Sequence, residues 1–146
     1  MQISIRNMPD RLDRSTLYRA VEFFGQRLMG KRLSKNVSVR IVFVKGLGCD
    51  ANCTWEDDNH RPREFSVLVN SRFAMPKTLA ALAHEMVHVK QYARGELKDY
   101  FNMPTTCRFN GKVYDTKKLD YFDYPWEKEA FSLENRLVIE FEQQES

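Results

Sequence analysis

The chain has little of what staples a fold, crosses a membrane or coats a polyanion. It has three cysteines, Cys49, Cys53 and Cys107. That odd number lacks a framework spacing, which excludes a disulfide scaffold and suits a reducing compartment. No apolar run approaches the roughly 20 residues that span a bilayer. The opening MQISIRNMPDRLDR puts polar and charged residues where a secretory signal needs its apolar centre. The expectation is a cytoplasmic protein without a membrane partner. Charge of one sign is also missing. Twenty-three basic residues are interspersed with 20 acidic ones, for a formal net charge of +3, which leaves no compact footprint for nucleic acid. With 6 glycines and 5 prolines in 146 residues there is no linker, repeat or low-complexity tract, so one domain over 1–146 is expected. Histidine is as scarce as cysteine: there are three, and two stand four residues apart.

Those two lie in His84-Glu85-Met86-Val87-His88, inside LAALAHEMVHVKQYARG. Leu79, Leu82, Met86 and Val89 recur at helical spacing and mark a core-facing stripe. Pro76 suits the first turn and Gly95 the position past the last one. The spacing therefore predicts a helix over Leu79–Gly95. On it His84 and His88 share one face, one turn apart, and both imidazoles can reach a single metal ion. Glu85 projects beside them, placed to hold a water and take its proton. Residue frequencies make a chance H-E-x-x-H in a chain this long roughly a one-in-a-few-hundred event.

Around this helix the chain reads as mixed α and β. Gln2–Arg6 alternates and opens with a strand, and a helix is expected from Asp10 to Met29, with Leu17, Val21, Phe24 and Leu28 buried and Gly30 ending it. Val37–Val44 and Phe65–Asn70 read as strands. Lys45–Arg63 is polar and rich in turn formers, and is expected to be a loop. Cys49, Cys53 and His60 within it lack an evident fourth ligand for a second zinc site, and read better as ordinary loop residues. Asn110-Gly111 signals a hairpin across Cys107–Tyr114. Pro125 opens a last helix with the stripe Trp126, Ala130, Leu133, Leu137 and Phe141.

A catalytic zinc usually takes three protein ligands, and no histidine follows His88. The last helix supplies Glu127, Glu129 and Glu134. Glu127 shares a flank with Phe131 and Val138 and sits in the first turn, where the helix dipole favours a carboxylate. Glu129 shares its flank with Ser132, Arg136 and Glu140, which suits solvent. Glu127 is the expected third ligand, with Glu129 as the alternative.

His84-Glu85-x-x-His88 followed by Glu127-x-x-Ala130 resembles the gluzincins, zinc peptidases with two histidines and a glutamate on a second helix. The wider run CTWEDDNHRPREFSVLVN, LAHEMVHVKQYARGEL and YPWEKEAF is similar to small peptidase-like proteins of bacteria and their phages, over about Cys53–Phe131. The resemblance implies a zincin-like α+β fold, a small twisted sheet packed on the Asp10–Met29 and Leu79–Gly95 helices, with the C-terminal helix closing the site. It implies Zn²⁺ on His84, His88 and Glu127, Glu85 as general base, and a peptide or protein substrate lying along the strand Phe65–Asn70. Tyr92, one turn along the histidine face, is a weak candidate for the oxyanion donor, Tyr121 and Tyr124 are others, and the sequence does not choose among them. One departure stands out. Many gluzincins place a histidine-orienting acid four residues after the ligand glutamate, where this chain has Phe131, which would move that role to a residue such as Asp123. Two rival readings use the same residues. One is a zinc-stabilised binding or regulatory module without catalysis, and the other is a metal-free interaction protein gripping partners through Tyr114–Trp126.

Overall fold

The computed structural model describes residues 1–100 and 102–146. Strand β1 (Gln2–Arg6) leads to helix α1 (Arg14–Lys35), β2 (Ser38–Val44), β3 (Ala51–Trp55) and β4 (Glu64–Asn70). Helix α2 (Met75–Ala93) follows, then β5 (Leu97–Tyr100), β6 (Met103–Phe109) and β7 (Lys112–Asp115). Two short 3-10 turns, Thr116–Lys118 and Tyr121–Asp123, precede helix α3 (Pro125–Glu145). The class is α+β, as expected.

The larger sheet has the order β1-β2-β4-β3, with β1, β2 and β4 parallel and β3 antiparallel to β4. Period-two alternation sets its inner face. Val39 pairs with Phe65, Ile41 with Val67 and Phe43 with Val69, and all six are buried. Their other-face neighbours Arg40, Ser66 and Leu68 remain at least partly exposed. On the inner face lie α1 and α2, and α3 packs on those helices from the far side. Helix α2 is therefore sandwiched. Twelve of its residues are buried, including His84, Glu85 and His88, so the single apolar stripe read from the sequence underestimates how much of this helix is covered.

Three expectations change. Helix α1 begins at Arg14, capped by the Asp13 carboxylate on the Thr16 amide, and runs beyond Gly30 to Lys35. Gly30 breaks the helix (φ 81°, ψ 162°), but the chain re-enters helical geometry instead of stopping. The Lys45–Arg63 stretch holds an additional strand, β3, whose mixed polar sequence Ala-Asn-Cys-Thr-Trp hid it because only one flank pairs. As a result Phe65–Asn70 is an interior strand, and β3 takes the edge position beside α2.

The hairpin at Asn110-Gly111 is present, with φ of 49° and 84° at those residues, the left-handed pair that a tight two-residue turn requires. It belongs to a second antiparallel sheet, β5-β6-β7. Leu97 and Phe109 from that sheet bury against Trp126 of α3 and form a satellite core. Gly95 (φ 73°) ends α2 as expected and turns the chain into β5.

Among the described residues no helix is long and apolar enough to cross a membrane.

Candidate metal centre

The first turns of α3 cross the middle of α2. Pro125 supplies the first-turn proline, and Trp126, Ala130, Leu137 and Phe141 bury as one stripe. That docking carries Glu127 onto the histidine face. Glu127 Oε1 lies 2.9 Å from His84 Nε2, and Oε2 lies 3.2 Å from His88 Nε2. All three residues are buried, and their ligand atoms lie within 4.8 Å of one another. They are the only such cluster of histidine, cysteine and carboxylate groups among the described residues.

The far nitrogen of each imidazole is also engaged. His84 Nδ1 donates to Glu134 Oε2 at 2.8 Å, and His88 Nδ1 donates to Gln91 Oε1 at 2.8 Å. The Gln91 orientation follows from its other partners, because its Nε2 donates to the Trp126 carbonyl (3.0 Å) and to Glu129 Oε1 (2.9 Å). With both Nδ1 atoms committed as donors, each Nε2 is the atom that faces Glu127, the tautomer needed for two histidines to ligate through Nε2. Two nitrogens and one carboxylate, buried, convergent and held from behind, fit a borderline divalent cation.

The groups of the cluster shift one another's titration. Burial works against a charged His84, but hydrogen bonds to Glu127 and Glu134 outweigh it and lift its pKa to about 9. His88 is likewise raised against burial by its bond to Glu127 and the nearby Glu85 charge. Burial works against ionisation of Glu127, yet the bonds from the two histidines hold its pKa down to about 2. Glu85 moves the other way, raised by burial and only partly offset by the His88 and His84 charges.

Glu85 borders two cavities at once. One, of about 320 Å³, runs past Asn52, Cys53, His88 and Tyr92. The other, of about 480 Å³, runs past Lys77, Ala81, His84, Phe122 and Phe131. Cys49, Ala51, Glu85 and Tyr121 line both, so a cleft passes across the cluster along β3.

The three tyrosines separate. The Tyr121 hydroxyl donates to Glu127 Oε1 at 2.9 Å. Tyr92 donates to Asp99 (3.1 Å) and Tyr124 to the Thr116 carbonyl (3.2 Å), so neither bonds a member of the cluster. Glu129 proves half-buried instead of solvated, held by Gln91 and by Lys90 Nζ at 3.1 Å. It supports the orienting amide and does not reach the histidines.

Asp123 is exposed, 4.0 Å from Lys128, and orients nothing at the cluster. Its expected role falls to Glu134, which sits seven residues after Glu127 and so returns to the same helix face two turns on. Phe131 packs its ring against His84 (centroids 4.6 Å, 60°). Gln91 was missed by sequence reasoning, although its position three residues after His88 puts it on the histidine face. The loop group does not assemble: His60 Nδ1 accepts from Lys98 Nζ (2.8 Å), Cys49 is exposed, and Cys53 lies at the cleft wall. Against known proteins, no family model, no curated protein and no solved structure matches the chain.

Proposed function

We propose that the protein is a zinc-dependent metallopeptidase with a gluzincin-type ligand set, acting on peptide or protein substrates. The observation that carries this reading is the buried His84–His88–Glu127 cluster with Glu85 next to it, opening onto both arms of a cleft. His84, His88 and Glu127 would hold the metal through two nitrogens and one oxygen. A bound zinc supplies Lewis acidity that polarises a scissile carbonyl and acidifies a water beside it.

The chain's own residues do the rest. Glu85, with its pKa raised by burial, is suited to take a proton from water at neutral pH and return it to the leaving amine. Tyr121 is the preferred oxyanion donor, because its hydroxyl already stands at the ligand carboxylate and its 3-10 turn sits at the cleft mouth. Strand β3 has one flank on β4, and its other flank can pair with an extended chain lying in the cleft. Glu134 and Gln91 keep both imidazoles aimed.

The test is hydrolysis of an unfolded protein such as casein by zinc-loaded wild type and by Glu85→Gln. The reading predicts that Glu85→Gln keeps its zinc and loses at least about 100-fold in rate. Zinc-loaded wild type with no hydrolysis would leave a zinc-stabilised binding module in its place, and equal rates in the two proteins would remove Glu85 as the general base.

A further inference from the structure

The position that departs from the gluzincin pattern has a use of its own. Six large apolar side chains are exposed among the described residues, and three of them, Tyr121, Phe122 and Phe131, gather at the cleft. Phe122 is 70% exposed and Phe131 is 40% exposed. Monomeric surfaces seldom leave such rings clustered without a partner.

The three rings pack on one another where they line the cavity, Tyr121 edge-on to Phe122 at 5.4 Å. Phe131 stands tilted to Phe122 (5.7 Å, 35°) and edge-on to Tyr121 (6.4 Å, 84°), and it also contacts the His84 ring. Ala80 and Ala81 line the same cavity, one small residue after another, and leave a space of about 480 Å³ to an incoming group. An acid at position 131 would have added a further charge to a cavity that Asp50, Glu85 and Glu134 already line. With Glu134 orienting His84, position 131 is released for an aromatic ring.

We infer that Phe131 and Phe122 determine specificity. The cavity beside His84 seats an aromatic side chain of an internal residue in an extended polypeptide, next to the bond that is cut. The inference rests on the peptidase reading for the cutting, but not for the seating. Aromatic rings take offset or edge-to-face contacts at the centroid separations found here, which favours phenylalanine over leucine by roughly two- to tenfold beyond their shared apolar burial. Internal cleavage follows from the cleft continuing on both sides of Glu85, so that chain can extend away from the site in either direction. Lys77, the one lysine or arginine lining this cavity, stands 3.9 Å from Asp50, whose carboxylate competes with a substrate's terminal carboxylate for it.

The experiment uses zinc-loaded full-length protein and a set of ten-residue internally quenched peptides differing only in Phe, Leu or Ala beside the cut, with products identified by mass. The expected result is internal cleavage, with phenylalanine favoured over leucine by about two- to tenfold. The Phe-to-Ala preference should shrink at least threefold in both Phe131→Ala and Phe122→Ala. Phe122 is mostly exposed, so its variant keeps the test valid if Phe131→Ala folds poorly. Release of residues only from peptide ends, or an aromatic preference untouched by both variants, overturns the inference. Binding of the same peptides to zinc-loaded Glu85→Gln, read by tryptophan fluorescence, separates the two readings. A Phe131-dependent preference for the Phe peptide in a protein that never hydrolyses upholds the pocket and removes the peptidase. Binding blind to the side chain overturns the pocket whatever the rate of hydrolysis.

Discussion

Gln91 makes the sharpest single perturbation of the candidate metal centre. Its side chain is fully buried and makes three hydrogen bonds of 2.8–3.0 Å, to His88 Nδ1, the Trp126 carbonyl and Glu129. One amide thus sets the tautomer of His88 on α2 and ties down the turn of α3 that carries Glu127. Gln91→Met keeps similar bulk and removes all three bonds, so its effect on metal binding reports orientation more than packing. Loss of such an outer partner typically weakens metal affinity by about 10- to 100-fold, which is about 1.4–2.7 kcal/mol. In the metal-free protein the stranded Trp126 carbonyl and His88 donor should lower stability by about 2–4 kcal/mol. Zinc affinity would be measured by competition with a chromophoric chelator, and stability by urea unfolding monitored by circular dichroism. Gln91→Met binding zinc within about twofold of wild type while unfolding more easily would show that Gln91 only packs, and would refute its positioning role.

Glu134→Ala should cost zinc affinity on the same 10- to 100-fold scale, about that of any outer-shell partner, whereas Glu134→Gln, which keeps an acceptor for His84 Nδ1, should lose less; the same chelator competition separates them. The pH behaviour has two opposite signs. With His84 raised to about 9, its favourable pairing is fully present below about 6.5 and is lost as pH rises through 9. With Glu127 lowered to about 2, its contribution is present above about 4.5 and is lost as pH falls through 2. Metal-free protein should therefore melt highest between about pH 4.5 and 6.5, while zinc affinity should climb with pH toward about 9 because binding must displace the His84 proton. Melting curves in chelator and zinc titrations across the same buffers check both. Zinc at 100 times its dissociation constant should raise unfolding free energy by about 2.7 kcal/mol, seen as a higher melting temperature that chelator reverses. Gly95→Ala should destabilise by about 1–2 kcal/mol in urea unfolding, because its φ is 73° and the new methyl would stand 3.1 Å from Arg61 Nε.

Much of the site was legible because helices fold residue spacing into geometry by a fixed rule. Four residues put His84 above His88. The flank argument reached Glu127 on premises that hold only in part, since Phe131 on that flank is exposed and Glu129 on the other is half-buried. Glu134 and Gln91 obey the same rule, at seven and three residues from a ligand, but a polar residue on a helix face announces its partner only once another helix covers that face. Strand β3 was illegible for a different reason. An edge strand with one pairing flank and a half-exposed sequence has neither the apolar run nor the alternation that marks β2 and β4, and its pairing with β4 is decided by tertiary contact. Missing it placed the cleft edge one strand too far inside the sheet. Gly30 shows the limit of punctuation: a glycine can break a helix, but whether the chain turns away or resumes depends on what packs beyond it.

The most direct test of the account is the zinc content of purified protein, wild type beside Glu127→Ala and Glu129→Ala. About one zinc per chain is expected in wild type, with loss of the metal in Glu127→Ala and retention with weakened affinity in Glu129→Ala, whose carboxylate braces Gln91 and does not reach the histidines. Wild type that binds no zinc after reconstitution, or Glu127→Ala that binds it as tightly as wild type, would contradict it.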